Sequence, residues 1–304
     1  MKKILFATTA LVATAGWAAA DVTIGGFARF GAQYDSASED WNTSTRLRFQ
    51  ITASTETDGG VRLSAMQRIQ SDRGQGNATN GARFSIGYEG LTVNVGNIVG
   101  VIEGTPNLYM PTASAGVGLS GNGFYSLATN TSSNSARFGW TAYDSTGFGQ
   151  SGNNGIEVMY SIAGVGLHAH STDDSYGVRA AYTFSGITGA VAYEEFDNDD
   201  TYLLVTVGGR IGQINAALGY AQTEIAGVEA EKWSLKGAYD FGTGLTAYAF
   251  VASEDNGVGE SYGLGASFDL GGGASLEGGW TRAADFGGTG DDEDIVSIGA
   301  FFRF

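Results

Sequence analysis

The chain of 304 residues has no cysteine, two prolines and two histidines. The absence of thiols removes disulfide frameworks, thiolate zinc sites, iron–sulfur clusters and cysteine nucleophiles together. Positive charge is scarce as well: 16 Lys and Arg stand against 32 Asp and Glu, for a formal net charge of -16. Nucleic-acid binding needs a surplus of Lys and Arg over the phosphates they neutralise, so that class is excluded. Long apolar runs are missing beyond the first twenty residues. The longest uncharged stretch, Gly104 to Ala136, holds both prolines, Pro106 and Pro111, among many Gly, Asn, Ser and Thr, and cannot form a good spanning helix. One G-x-S-x-G match, Gly259 to Gly263, leads into a strand pattern instead of the helix that a nucleophile elbow requires, and reads as chance. Most enzyme classes lose their equipment, and no enzymatic activity is expected.

Residues 1–20, MKKILFATTALVATAGWAAA, place Lys2 and Lys3 before an apolar run and end in Ala18-Ala19-Ala20. This is the three-part pattern of a cleaved secretory signal, with Asp21 as the expected mature start. Removing it leaves 14 Lys and Arg in the mature chain.

What remains is rich in Gly (49 residues) and in aromatics (12%), and it repeats one unit. About ten residues with every second side chain apolar are followed by a short Gly, Asp, Asn or Ser break, which is the period of a strand. From Ser261 to Leu270, for instance, Tyr262, Leu264, Ala266, Phe268 and Leu270 alternate with Gly263, Gly265, Ser267 and Asp269. Strands are predicted at 22–34, 43–55, 61–71, 81–89, 91–99, 156–163, 165–171, 176–184, 187–195, 202–210, 213–223, 231–241, 245–253, 260–270, 274–283 and 295–304. Residues 136–143, a further candidate, are kept in a loop because single-chain bacterial barrels have an even strand count. Short connections alternate with mostly longer ones, and aromatics gather near strand ends. A soluble sandwich shares the alternation but not this rhythm. The pattern predicts an all-β fold: a 16-stranded antiparallel transmembrane β-barrel over residues 21–304.

The rhythm breaks once, over residues 100–155. Sixteen strands enclose more space than side chains fill, so a segment folded inward would narrow an aqueous passage. Leu108, Tyr109, Met110, Leu119, Phe124, Tyr125 and Leu127 give it apolar groups to pack on the inner wall, and Gly116, Gly118, Gly121 and Gly123 permit bends. Six arginines of the first four predicted strands, Arg29, Arg46, Arg48, Arg62, Arg68 and Arg83, all lie on the polar parity. An Arg at the bilayer midplane costs about 2–4 kcal/mol, so they should line the lumen as a basic sector. The acids instead gather at the longer connections: Asp173-Asp174, Asp197, Asp199-Asp200, Glu224, Glu229, Glu254-Asp255, Asp285 and Asp291 to Asp294. This outer rim could hold Ca²⁺ or Mg²⁺ or bridge through such ions to lipopolysaccharide, though a solubilising role needs no ion and no cofactor is required. His168 and His170, two apart, should face the lumen near a short turn as a pair without a third metal ligand.

The segments GGFARFGAQYD, EDWNTSTRLRFQITASTETDGGVRLSA, YGLGASFDLGGGASLEGG and the terminal GAFFRF resemble the general-diffusion porins of alphaproteobacteria, the Rhodobacter type, over essentially the whole mature chain. The resemblance implies a homotrimer of 16-stranded barrels in the outer membrane of a Gram-negative bacterium. It also implies a third external loop folded into the pore as an eyelet, with wall arginines opposed by loop acids. Arg29, Arg46, Arg48 and Arg68 match the basic wall, while Arg62 and Arg83 join them on parity alone. The sequence departs on the acidic side, because Glu103 is followed by no acid until Asp144. A weak opposing field and a modest anion preference are therefore expected, partly offset by the acidic mouth. The terminal Phe304 resembles an outer-membrane assembly signal.

The expected function is passive diffusion of small hydrophilic solutes and ions, filtered by size and charge at residues Arg29, Arg46, Arg48, Arg62, Arg68, Arg83 and Glu103. The expected partners are outer-membrane lipid and lipopolysaccharide. An adhesin or structural surface barrel, with the long segment projecting outward, is the alternative, and a barrel lipase or protease a more distant one.

Overall fold

The computed structural model describes residues 21–72, 75–112, 117–118, 138–145, 154–255, 259–284 and 292–304. The expected leader, Asp285, Asp291 and the loop residues Gly116, Leu119, Gly121, Gly123, Phe124, Tyr125 and Leu127 lie outside them.

The alternating segments form strands β1 (Asp21–Asp35), β2 (Asp40–Glu56), β3 (Arg62–Asp72), β4 (Gln75–Thr79), β5 (Arg83–Tyr88) and β6 (Leu91–Gly96). After the long loop come β7 (Gly155–Ile162), β8 (Val165–Ser171), β9 (Ser175–Phe184), β10 (Ile187–Phe196), β11 (Thr201–Ile211) and β12 (Ile214–Ile225). The chain closes with β13 (Val228–Asp240), β14 (Leu245–Glu254), β15 (Gly259–Gly271), β16 (Ala274–Ala283) and β17 (Glu293–Arg303). Both β4 and β5 pair with β3, one along Ile69–Asp72 and the other along Arg62–Met66, so together they fill one place in a sixteen-place barrel. The break falls where Asn80 turns inward: its Oδ1 accepts from the Arg68 N–H at 2.8 Å. The predicted strand at 81–89 corresponds to β5 alone. Of the candidate strand 136–143, the described residues 138–142 form no strand, and Tyr143–Ser145 form a single 3-10 turn.

Each place pairs antiparallel with the next, and β17 pairs with β1 from Phe27↔Arg303 to Asp35↔Ile295. The Gly26 N–H donates to the Phe304 carbonyl at 2.9 Å and the Phe304 N–H returns to Gly26 at 3.2 Å. The pairing of β17 with β1 closes the sheet on itself, as a sheet in lipid requires, since an open edge would put bare N–H and C=O groups into hydrocarbon.

At one end of the barrel, Glu89-Gly90, Ala163-Gly164 and Ser185-Gly186 make two-residue turns with both φ values positive, the hairpin geometry whose twist matches the strands. At the other end the connections are mostly longer, as expected, but β3 and β4 are only two residues apart in sequence, as are β12 and β13. Ala226-Gly227 turns the same way, so Glu224 and Glu229 face each other across β12 and β13 and do not sit in a loop. Glu254 and Asp294 likewise belong to strands.

Period-two alternation sorts the side chains. Outward lie Ile24, Phe30, Val178, Val205, Leu235, Leu264 and Ile298, all exposed. Aromatics ring both ends of this face: Trp41 (61% exposed), Tyr176 and Trp233 toward the loop end, and Tyr88, Tyr182, Phe184 (69% exposed) and Phe268 toward the short-turn end. These are the belts of an outer-membrane barrel, where amphipathic or bulky rings sit at the lipid–water boundary. The opposite parity is polar or small and turns inward.

Candidate pore constriction

Five of the six predicted arginines meet on one sector of the inner wall. Arg29 on β1 is 7% exposed and sits across from Arg46 on β2. Arg46 is clamped by Asp72 of β3, at 2.5 Å from Nη2 and 2.7 Å from Nε. Arg48 donates from Nε to Gln70 at 2.6 Å and lies over the Phe27 ring, 5.5 Å from its centroid. Arg68 and Arg83 converge on Asp144, at 2.9 and 3.8 Å. Arg62 shares the parity of Arg68 but stands at the start of β3, where it pairs with Glu56 at 2.9 Å and its side chain is 79% exposed. Parity fixed its side of the wall, while its height along the strand sets it apart from the other five.

The long loop is seated on the rest of the inner wall. At its root, Glu157 of β7 is fully buried and accepts from the Val99 and Gly100 N–H groups, each at 3.1 Å, and from Asn94 at 2.6 Å. Its other neighbour is His168 Nε2 at 2.9 Å. His170 accepts the Val101 N–H on Nδ1 at 3.0 Å, while its Nε2 lies 3.3 Å from both Ser175 and Glu194. Tyr143 donates to Glu194 at 2.7 Å. The two histidines do face inward, but they belong to the seat of the loop and do not border open water. Val101, Ile102, Leu108 and Phe138 then bury against Ala192, Tyr202, Leu204, Ala221 and Ala230 of β10–β13. Further on, Met110 and Val117 bury against Tyr248, Phe250, Ala252 and Ile295 of β14 and β17. Gly118, at φ 67, donates to the Tyr248 hydroxyl at 3.1 Å and approaches Ser297 so closely that an added Cβ would sit 2.2 Å from its Oγ.

Between seat and arginines the loop presents Glu103, Tyr109 and Trp140. Glu103 accepts from the Tyr109 hydroxyl and from Trp140 Nε1 at 2.5 Å, and the two rings meet edge-on with centroids 6.0 Å apart. Burial raises the Glu103 carboxyl above its ordinary range; the Tyr109 and Trp140 donors oppose this, Asp144 adds to it and Arg68 lowers it. Tyr109 is raised in turn, by burial first and then by the charge of Glu103.

The expected shortage of loop acids is therefore only sequential. No acid lies between Glu103 and Asp144, yet the chain returns so that Asp144 reaches Arg68 and Arg83, and Asn80 donates to its carbonyl at 2.8 Å. Asp72 adds a third carboxylate from the wall itself. Sequence reasoning missed Asp72, Asp144, Glu157, Glu194 and Asn80. Parity alone could have found Asp72 beside Arg46, since it shares the inward face of β3 with Arg68; the others depend on where the loop returns.

Comparison with known proteins agrees with this geometry. The Gram-negative porin family model matches residues 7–304. A porin of Fuscovulum blasticum is 31% identical over 192 residues, which span 57% of this chain and 63% of that protein's length. A porin of Rhodobacter capsulatus is 27% identical over 216 residues, covering 67% of this chain and 68% of that one. Among solved structures, a multiply substituted Rh. blastica porin superposes with a TM-score of 0.74 at 26% identity, covering 93% of this chain and all of the other. A triple mutant of the same porin gives 0.75 at 26% with the same coverage. A closed sixteen-place barrel, lipid-facing outside and with arginine and loop carboxylates gathered inside, thus coincides with a match over nearly the whole sequence: the chain belongs to the Gram-negative porin family of the outer membrane.

Proposed function

We propose that the chain forms a water-filled channel for passive diffusion of small hydrophilic solutes and ions, narrowed by the seated loop and filtered there by size and charge. The observation that carries this reading is the juxtaposition of Arg29, Arg46, Arg48, Arg68 and Arg83 on β1–β5 with Glu103 and Asp144 on the loop. Opposite charges fixed on two sides of a passage set up a field across it, which acts on any solute in transit without needing a binding pocket. Five guanidinium groups outnumber the carboxylates of Asp72, Asp144 and Glu103, so the passage prefers anions. The working unit is a homotrimer of such channels.

The test is a reversal-potential measurement across a planar bilayer with a KCl gradient. Wild-type channels should open in steps of three and favour chloride. Arg46→Ala with Arg48→Ala should move the reversal potential toward cation preference. An unchanged potential would remove these arginines from the filter, and the absence of any steps would favour a structural barrel.

A further inference from the structure

The seated loop presses on the wall in two patches, one around Tyr202 and Leu204 and one around Tyr248 and Phe250. Between them runs the middle of β13, where Lys232, Ser234 and Lys236 share the inward parity while Trp233, Leu235 and Tyr239 face lipid. Lys232 is 2% exposed, Lys236 4% and Ser234 1%. Two lysines four positions apart on one face thus leave water together, yet the chain treats them differently.

Lys232 stands in register with Ala221 on β12 and Glu254 on β14, with its Nζ 3.6 Å from the carboxylate and 5.7 Å from the Phe138 ring centroid. Lys236 stands in register with Ala217 and Phe250, neither of which carries a charge. Its Nζ makes no hydrogen bond, and among the described residues it has no carboxylate within ion-pair reach. The acids nearest in the sheet are engaged elsewhere. Glu254 serves Lys232, and three strands away on either side Glu194 accepts from Tyr143 at 2.7 Å and Glu277 from Ser275 at 2.7 Å. The Ser234 hydroxyl, two residues back on the same face, lacks a partner as well. Its cross-strand neighbours, Gly219 and Ala252, are small and offer no side-chain acceptor.

An ammonium has three donors and no acceptor, and burying it without a countercharge is disfavoured. Buried polar groups left unpaired in a native fold mark the place of an ion or a water. We propose that Lys236 holds a small inorganic anion, of the size of chloride, between the wall and the loop, with the Ser234 hydroxyl as a second donor. Chloride supplies what water lacks, a full negative charge, and as a sphere it accepts from any direction. The ion is resident and not in transit, because the loop covers this part of the wall. It completes the seat at Lys236 as Glu254 completes it at Lys232. The inference is independent of the selectivity of the passage, since a buried ammonium needs a countercharge whichever solutes pass in front of the loop.

Crystals of the assembled protein grown in sodium bromide test the site directly. Anomalous diffraction at the bromine edge should show a peak in contact with Lys236 Nζ, and Lys236→Met should abolish it. In detergent at constant ionic strength, unfolding of the wild-type barrel should slow saturably as chloride or bromide replaces gluconate, which is too large for the place. The expected slowing is about tenfold when the halide stands at roughly ten times half-saturation. Unfolding of Lys236→Met should not respond to the anion; if that variant does not assemble, Lys236→Gln takes its place. In a planar bilayer the variant should keep the wild-type reversal potential, because the cation and its anion leave together. No bromide peak at Lys236 in the wild type, or a peak without any effect of halide on unfolding, would overturn the proposal and assign the buried amine an uncharged state. A variant whose reversal potential moves toward cation preference would overturn it too, by showing that the ammonium acts on the passage without a countercharge.

Discussion

The two halves of the inner wall obey the same outward rule and opposite inward ones. From β1 to β5 the lumenal parity carries arginines that are half-buried or ringed by other side chains, with the passage in front of them. From β7 to β17 the same parity carries Ala192, Leu204, Ala221, Tyr248 and Phe250, and the loop lies on them. Even a cation behaves differently there. Lys232 on β13 is 2% exposed, 3.6 Å from Glu254 and 5.7 Å from the Phe138 ring centroid, a packed element of the wall. Lipid constrains only the outward residues, because they alone meet hydrocarbon. The inward set is free to specialise: one half carries the arginines and the other seats the loop.

If that division is right, the largest effect comes from unseating the loop. Glu157→Ala would strip the acceptor from the Val99 and Gly100 N–H groups, from Asn94 and from His168, all in a buried place. Removing one partner of a buried charged network costs about 3–5 kcal/mol. The expected outcome is a barrel that still resists detergent but whose single-channel steps become larger and noisier, with the loop opened to protease. Wild-type behaviour would show that the loop does not depend on its root. Leu108→Ala attacks the same half through packing alone. It leaves a cavity in the cluster around Tyr202 and Leu204, for a loss of about 2–5 kcal/mol. Thermal unfolding should register it and current noise should rise, while the reversal potential stays put, because no charge has moved.

The outward half of the design was legible from the sequence because period-two alternation is a local property. Val178, Val205 and Leu264 announce their side within three residues of context, and sixteen such segments suit a barrel. Parity also assigned the arginines their side. Height did not follow: Arg62 and Arg68 are identical in parity, yet one pairs with Glu56 beside a short turn and the other with Asp144 of the returning loop. Height depends on register and strand stagger, which are collective. The loop was readable as something that needs a wall, through Leu108 and Met110, but not as something seated on Glu157 and His170. Those residues come 58 and 69 positions after the backbone groups they bind. The return of Asp144 is of the same kind, a contact across 76 residues with no local signature.

The finest probe of the contrast is Glu103, which belongs to the loop but is addressed to the arginine half. Its carboxyl is raised by burial, so it takes up a proton at higher pH than an exposed glutamate does. Above that point the carboxylate offsets one of the five guanidinium charges; as pH falls through it, the offset disappears and the arginines do not change. Anion preference should therefore grow as the pH is lowered toward the range in which ordinary carboxylates titrate, setting in before the carboxylates at the mouth take up protons, and should reverse on return. Glu103→Gln should show the acid-side preference at neutral pH and lose the dependence. The change is small, since one charge among eight is altered. A Glu103→Gln channel that still follows pH over this range would assign the titration to another group and place Glu103 with the packed half of the wall.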